Sequence, residues 1–145
     1  ELVSLIGIYE YFDNLYNHHF QDNEKTTLKR IKKINNLISK HEEDVANPIL
    51  DYIYNREDFK LIGKNKIKNK NRAPTIAFTS NKISSKKMSE ILVQNKIATR
   101  NDNFYAWRCL RSLGINPDDG VVRLSFTHYN SLKDTDLVLE ALKKI

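Results

Sequence analysis

The sequence predicts an α+β fold: a small, mostly antiparallel sheet with helices packed on one face, preceded by two long helices. Three observations lead there. Through residue 58 the apolar side chains recur at helical spacing. From Phe59 onward the pattern breaks into short runs that alternate every second residue, clearest in Val121–Thr127. Those runs are interleaved with short helical stretches and short connections, an order that suits helices layered on an antiparallel sheet.

Each element has its own signal. Leu2, Leu5, Ile6, Tyr9, Phe12 and Tyr16 line one helix through about Asn17. Asp22, Asn23 and Glu24 read as the cap and first turn of a second helix, with the pair antiparallel or crossed. That helix carries Leu28, Ile31, Ile34, Ile38, Val45 and Leu50, and Asn47-Pro48 predicts a kink or restart in it. Phe59–Gly63 reads as an edge strand, Gly63–Arg72 as a basic loop, and Pro74–Thr79 as a strand with Ile76 and Phe78 on one side. Ser84-Ser85 opens a helix bearing Met88, Ile91 and Leu92, and Ile97–Arg100 reads as a short strand. Phe104–Leu113 reads as a helix closed by Gly114. Asn116–Gly120 is a turn, since proline presets φ and Asp and Gly accept a tight return. Val121–Thr127 follows, and Ser131-Leu132-Lys133-Asp134 resembles a capping box for the last helix.

The chain has 145 residues, enough for one domain with a real core at about 150 residues per domain. One cysteine, Cys109, excludes an internal disulfide framework and fits a reducing, cytoplasmic setting. No apolar run approaches the roughly 18 residues of a membrane helix, so no membrane partner is expected. The chain opens on Glu1 and its single methionine is Met88, so it reads as part of a larger protein. The net charge of +6 permits an acidic partner. Lysine, asparagine and isoleucine share A/T-rich codons, so compositional bias also accounts for that charge.

The side chains with chemical potential are few. In Val121–Thr127 the pleat puts Val122, Leu124 and Phe126 on one face and Val121, Arg123, Ser125 and Thr127 on the other. Arg123 therefore reaches water, a structural ion pair, or an anion such as a carboxylate or phosphate that matches its planar fork. Arg100 ends another short strand; if the two strands are neighbours, both guanidinium groups face one cleft. Adjacent His18 and His19 point about 100° apart on a helix and have no partner at ligand spacing, so no metal site is expected. His41-Glu42-Glu43 lacks the second histidine of a zinc-protease helix. Cys109, beside Leu110 and Leu113, reads as a small packed hydrophobe. Lys64, Lys66, Lys68, Lys70 and Arg72 make a basic stripe without the stacking aromatics that single-strand binders present.

A resemblance begins at Arg72-Ala73-Pro74-Thr75-Ile76-Ala77-Phe78. It continues through a helix and Lys96-Ile97-Ala98-Thr99-Arg100, then Asn103-Phe104-Tyr105-Ala106 and Leu113-Gly114-Ile115. It ends in Gly120-Val121-Val122-Arg123-Leu124-Ser125 and His128-Tyr129-Asn130-Ser131. In order and spacing, residues 72–145 resemble the C-terminal small domain of class V aminotransferases, in the cysteine desulfurase and selenocysteine lyase-like branch of the fold-type I pyridoxal-phosphate (PLP) enzymes.

The resemblance implies residues 1–58 as a helical interdomain segment and 59–145 as the small α+β domain, with the large cofactor domain absent. It implies a substrate-carboxylate role for Arg123 and, less directly, for Arg100. Asn130 and Ser131 match a structural helix start. The Schiff-base lysine would lie in the large domain, so no catalytic residue is assigned in this chain. PLP is implied for the full-length parent, a homodimeric transferase or lyase acting on amino acids; the chain alone is expected to be inactive and cofactor-free. Desulfurases carry a sulfur-accepting cysteine on the loop where Phe104 stands, so persulfide formation is not expected. The alternative is a non-enzymatic α+β module that binds nucleic acid or protein through Lys64–Arg72. Salt-dependent nucleic-acid binding, lost on neutralising those lysines, would distinguish it.

Overall fold

The computed structural model describes residues 2–68 and 70–145, with side chains from residue 4 onward. Glu1, Asn69 and the side chains of Leu2 and Val3, including the Leu2 position of the first apolar stripe and the centre of the basic loop, lie outside the described residues. The elements run α1 (Leu2–His19), α2 (Thr27–Tyr54), β1 (Phe59–Ile62), β2 (Thr75–Ser80), α3 (Ser85–Gln94), β3 (Arg100–Asp102), α4 (Trp107–Ser112), β4 (Val121–Ser125) and α5 (Leu132–Leu142). The chain divides into two compact units, Glu1–His41 and Glu42–Ile145.

In the first unit, α1 and the start of α2 meet around Tyr16. Its ring is buried, stacks on Phe20 with centroids 5.2 Å apart, and lies under the Arg30 guanidinium at 4.7 Å. Arg30 also pairs with Asp13 at 2.5 Å. Asp22 joins the Tyr16 hydroxyl to the Lys33 ammonium. Ile34 is buried on the α2 side, whereas Leu5, Ile6 and Tyr9 in the first turns of α1 are exposed.

The second unit is an antiparallel sheet in the order β1-β2-β4-β3. Ile76 and Phe78 of β2, with Val122 and Leu124 of β4, form one buried face. Onto it pack Val45, Ala46, Ile49, Leu50 and Ile53 from the second half of α2, Met88 and Leu92 from α3, and Val138, Ala141 and Leu142 from α5. Two polar links fasten this layer. Thr135 donates its hydroxyl to the Val45 carbonyl at 2.8 Å, and Arg56 donates to the Leu142 carbonyl at 3.0 Å. A smaller cluster joins Leu110, Ile115 and Val121, with Ile62, Ala77 and Phe104 against it.

The α+β class, the edge strand β1, the strand faces of β2 and β4, the Ser84 cap and the Ser131–Asp134 capping box match the sequence reading. Several details differ. Asp22–Glu24 belong to the connecting loop, where Asp22 is tied to Tyr16 and Lys33, and α2 opens at Thr27. α2 then runs through Pro48 without a restart. An interior proline costs a helix about 3 kcal/mol, but five fully buried apolar residues between Val45 and Ile53 hold both sides of it in the core. The third strand begins at Arg100 and not at Ile97: it pairs with β4 from Arg100 opposite Arg123 to Asp102 opposite Val121, while Thr99 before it reaches β4 through its hydroxyl, which donates to the Arg123 carbonyl at 2.9 Å. The helix read from Phe104 begins at Trp107, since Phe104 and Tyr105 have φ of 51° and 59°. Val121 is buried under Leu110 and Ile115 although it shares a face with Arg123.

Candidate functional site

Val122 and Leu124 are buried on the helix-covered face, so the pleat forces Arg123 between them to the opposite side. Register does the rest. Ile62, Ala77, Arg123 and Arg100 form one row across the four strands, with Arg100 directly opposite Arg123. Like charges in directly opposed positions destabilise a strand pair by up to about 1 kcal/mol. Two features offset that repulsion. Asp102 lies 3.4 Å from the Arg100 guanidinium. The Phe104 ring lies under both cations, with the Arg123 Cζ 4.0 Å and the Arg100 Cζ 5.8 Å from its centroid.

The two arginines are not equivalent. Arg100 is held by Asp102, whereas Arg123 makes no ion pair or side-chain hydrogen bond among the described residues, and its side chain is exposed. Its five N–H donors are therefore available in a fork that matches a carboxylate bidentately. The same face continues with Ser125, whose hydroxyl lies 3.4 Å from that of Thr75. Beside Ser125 a hollow of about 320 Å³ opens, lined also by Lys96, Ile97, Thr127, Tyr129 and Leu137.

The loop after β3 is built to close tolerances. Gly120, at φ +69°, lets the backbone of Asp102 pass so near that a Cβ there would lie 2.4 Å from its carbonyl carbon. Asn103 turns the chain by accepting the Tyr105 N–H on its side-chain oxygen at 3.0 Å, an Asx turn. Phe104 and Tyr105 then take left-handed conformations that cost non-glycine residues about 1–2 kcal/mol each. This geometry aims Phe104 inward, while Tyr105 is fully exposed.

Both arginines singled out in the sequence thus meet on one sheet face. The Phe104 shelf, Asp102 and the close pass at Gly120 were not legible as site features. The asparagine at 103 was the one available sign of a turn where a helix was read. Cys109 is exposed on α4, which corrects its reading as packed: Leu110 takes the buried position of that short helix. Asn130 has the structural role its position implied, accepting from the Thr127 N–H at 2.9 Å ahead of the Ser131–Asp134 capping box. In the basic loop, Ile67 is buried and exchanges hydrogen bonds with the Asn47 side chain at 2.8 and 3.1 Å. Among the described residues no group of three or more His, Cys, Asp or Glu could hold a metal ion, and no helix is long and apolar enough to cross a membrane.

A four-stranded antiparallel sheet with α2, α3 and α5 on one face, and on the other an arginine pair beside the short helix α4, defines the class: a small α+β domain. The family follows from comparison. The profile described as Aminotransferase class-V matches residues 25–138, and the chain belongs to that family. The aminotransferase-like protein FGM3 of Gibberella zeae is 27% identical over 128 residues, covering 88% of this chain and 30% of that protein. Among solved structures, the cysteine desulfurase of Thermococcus onnurineus superposes with a TM-score of 0.64 at 24% identity over 81% of this chain and 28% of its own. The cysteine desulfurase CsdA of Escherichia coli gives 0.61 at 22% identity over 73% and 24%. The chain therefore spans less than a third of the length of these relatives, and at these identities the two structures show a shared fold.

Proposed function

We propose that this chain is the small-domain portion of a cytoplasmic, dimeric PLP-dependent enzyme that acts on amino acids, and that Arg123 holds the substrate α-carboxylate. Residues 59–145 carry the site, and residues 1–58 link it to the large domain. The observation that carries the reading is the Arg123 guanidinium, exposed on a strand with no anionic partner among the described residues. Arg100, opposite it in register, adds positive potential at the same face while Asp102 holds it in place. Family membership supports the cofactor, since PLP supplies the electron sink for amino-acid chemistry when bound. The described residues offer the carboxylate's side of such a site. The cofactor's own attachments fall to the large domain.

What this chain contributes is orientation. A bidentate pair with Arg123 fixes the carboxylate in the plane of the fork, and the strand holds that plane in register with the sheet. Phe104 brings no nucleophile to the site loop, which favours transamination or lyase chemistry over persulfide formation.

The test uses the full-length protein. Arg123→Ala should raise KM for the amino acid by about 30-fold or more, the equivalent of losing roughly 2 kcal/mol of a charge-assisted pair. Its melting temperature should stay close to that of the parent, because the side chain is exposed. Arg123→Lys should restore only part of the loss, since the fork is gone. An unchanged KM in Arg123→Ala would overturn the reading.

A further inference from the structure

We propose that Phe104 is a positioning residue for Arg123: its ring is a shelf that orients the guanidinium so that the donor edge stays free for a carboxylate. The inference rests on the carboxylate role proposed above and adds a residue to it. Its first support is distance. With the Arg123 Cζ 4.0 Å from the Phe104 centroid, the cation lies over the ring face at van der Waals separation. A guanidinium stacked on a ring spends its flat face there and keeps its N–H groups, which point outward in its plane, free for an anion.

The second support is exclusivity. No hydrogen bond or ion pair among the described residues competes for Arg123, so the ring is the contact that restricts its long side chain. Arg100 differs, because its shelf contact is longer, at 5.8 Å, and Asp102 supplies a polar restraint. An exposed arginine with three or four free torsions loses rotamer entropy when it binds an anion. A ring that has already removed part of that freedom leaves less to lose on binding.

The third support is the backbone. Phe104 and Tyr105 are consecutive left-handed non-glycine residues, held by the Asn103 turn and by the close approach at Gly120. Strain of this kind persists where the surroundings over-determine it and is frequent at ligand sites. Filling the small cluster of Leu110, Ile115 and Val121 requires an apolar side chain there. It does not require an aromatic face turned toward two cations.

The experiment separates packing from π electrostatics. In the full-length protein, Phe104 is replaced by 4-fluoro-, 3,5-difluoro- and 3,4,5-trifluorophenylalanine. These analogues keep the shape nearly constant and progressively remove the negative ring face. The dissociation constant of L-alanine, used as the amino-acid probe, is measured by calorimetry across the series, with the melting temperature recorded alongside. Affinity should fall stepwise, by about three- to tenfold at the trifluoro analogue, at an unchanged melting temperature. Phe104→Tyr, which keeps the π face, should bind within about twofold of the parent. If Arg123→Ala abolishes binding while the fluorine series is flat, Phe104 is only a packing residue and the carboxylate reading stands. If Arg123→Ala itself leaves L-alanine binding intact, the carboxylate reading fails and this proposal fails with it.

Discussion

Asp58 shows how a single carboxylate ties the second unit together. It is 8% exposed and accepts from Arg56 Nε at 2.7 Å and Lys82 Nζ at 3.0 Å. The hydrogen bonds from Arg56 hold its carboxyl well below the usual range, and Lys82 adds to them against the opposing effect of burial. Arg56 in turn reaches the Tyr52 hydroxyl and the Leu142 carbonyl, so one ionised group links the end of α2 to β1 and α5. The sign follows from linkage. Because the folded-state pKa is depressed, the stabilisation is complete above the unfolded value of about 3.9 and fades as pH falls below it. Asp58→Asn should cost on the order of 1–3 kcal/mol at pH 7, because it leaves Arg56 without its charged acceptor. Urea titrations at pH 7 and near pH 2.5 check this: the gap between parent and variant should narrow in acid. An equal gap at both values would mean that the charge of Asp58 is not what stabilises the fold.

At the scale of elements, two places set geometry against local preference. Pro48 sits exposed inside α2, where it removes one backbone donor, while its neighbours Asn47 and Ile49 are engaged, one with the Ile67 backbone and one in the core. Pro48→Ala should therefore stabilise the protein by about 1–3 kcal/mol, since it restores a helical hydrogen bond and gives up no packed surface. A urea midpoint at or below the parent's would show that the helix needs the proline. The turn into β4 behaves oppositely. Gly120 and Gly63 both have positive φ, but a Cβ at Gly120 would meet the Asp102 and Asn103 backbone, whereas at Gly63 it would meet nothing within 4 Å. Gly63→Ala should cost about 1 kcal/mol, for the backbone conformation alone. Gly120→Ala adds a collision with backbone that cannot swing aside and should cost at least about 2 kcal/mol. Chemical denaturation of the two variants side by side reads the difference; equal losses would mean that the loop after β3 yields easily.

The whole molecule divides within α2, whose first half belongs to the unit Glu1–His41 and whose second half belongs to Glu42–Ile145. The main core takes Val45, Ala46, Ile49, Leu50 and Ile53 from that second half, all fully buried. A polypeptide of residues 42–145 should therefore fold cooperatively by itself. One of residues 59–145 should not, because it lacks those five side chains, and deletion of even one large core side chain costs about 2–5 kcal/mol. Circular dichroism melts of the two fragments decide it. A sharp transition in the shorter one would show that the sheet, α3 and α5 suffice.

The sequence by itself determined the element types, the buried faces of β2 and β4, the capping box of α5 and the two arginines worth watching. These follow from local rules: spacing along a helix, alternation along a strand, and the hydrogen bonds a short polar side chain makes to its own turn. It also carried the family resemblance through the order of its motifs. Only the tertiary structure decided that α2 passes through Pro48, that Val121 is covered while Arg123 on the same face is open, and that Arg100 stands opposite Arg123. It alone decided that residues 104–105 leave the helical region and bring Phe104 under both cations. Each of these depends on contacts between segments distant in the chain, such as β3 with β4 or Gly120 with Asp102. The energies of those contacts exceed local preferences of about 1 kcal/mol and cannot be read from the residues of either segment alone.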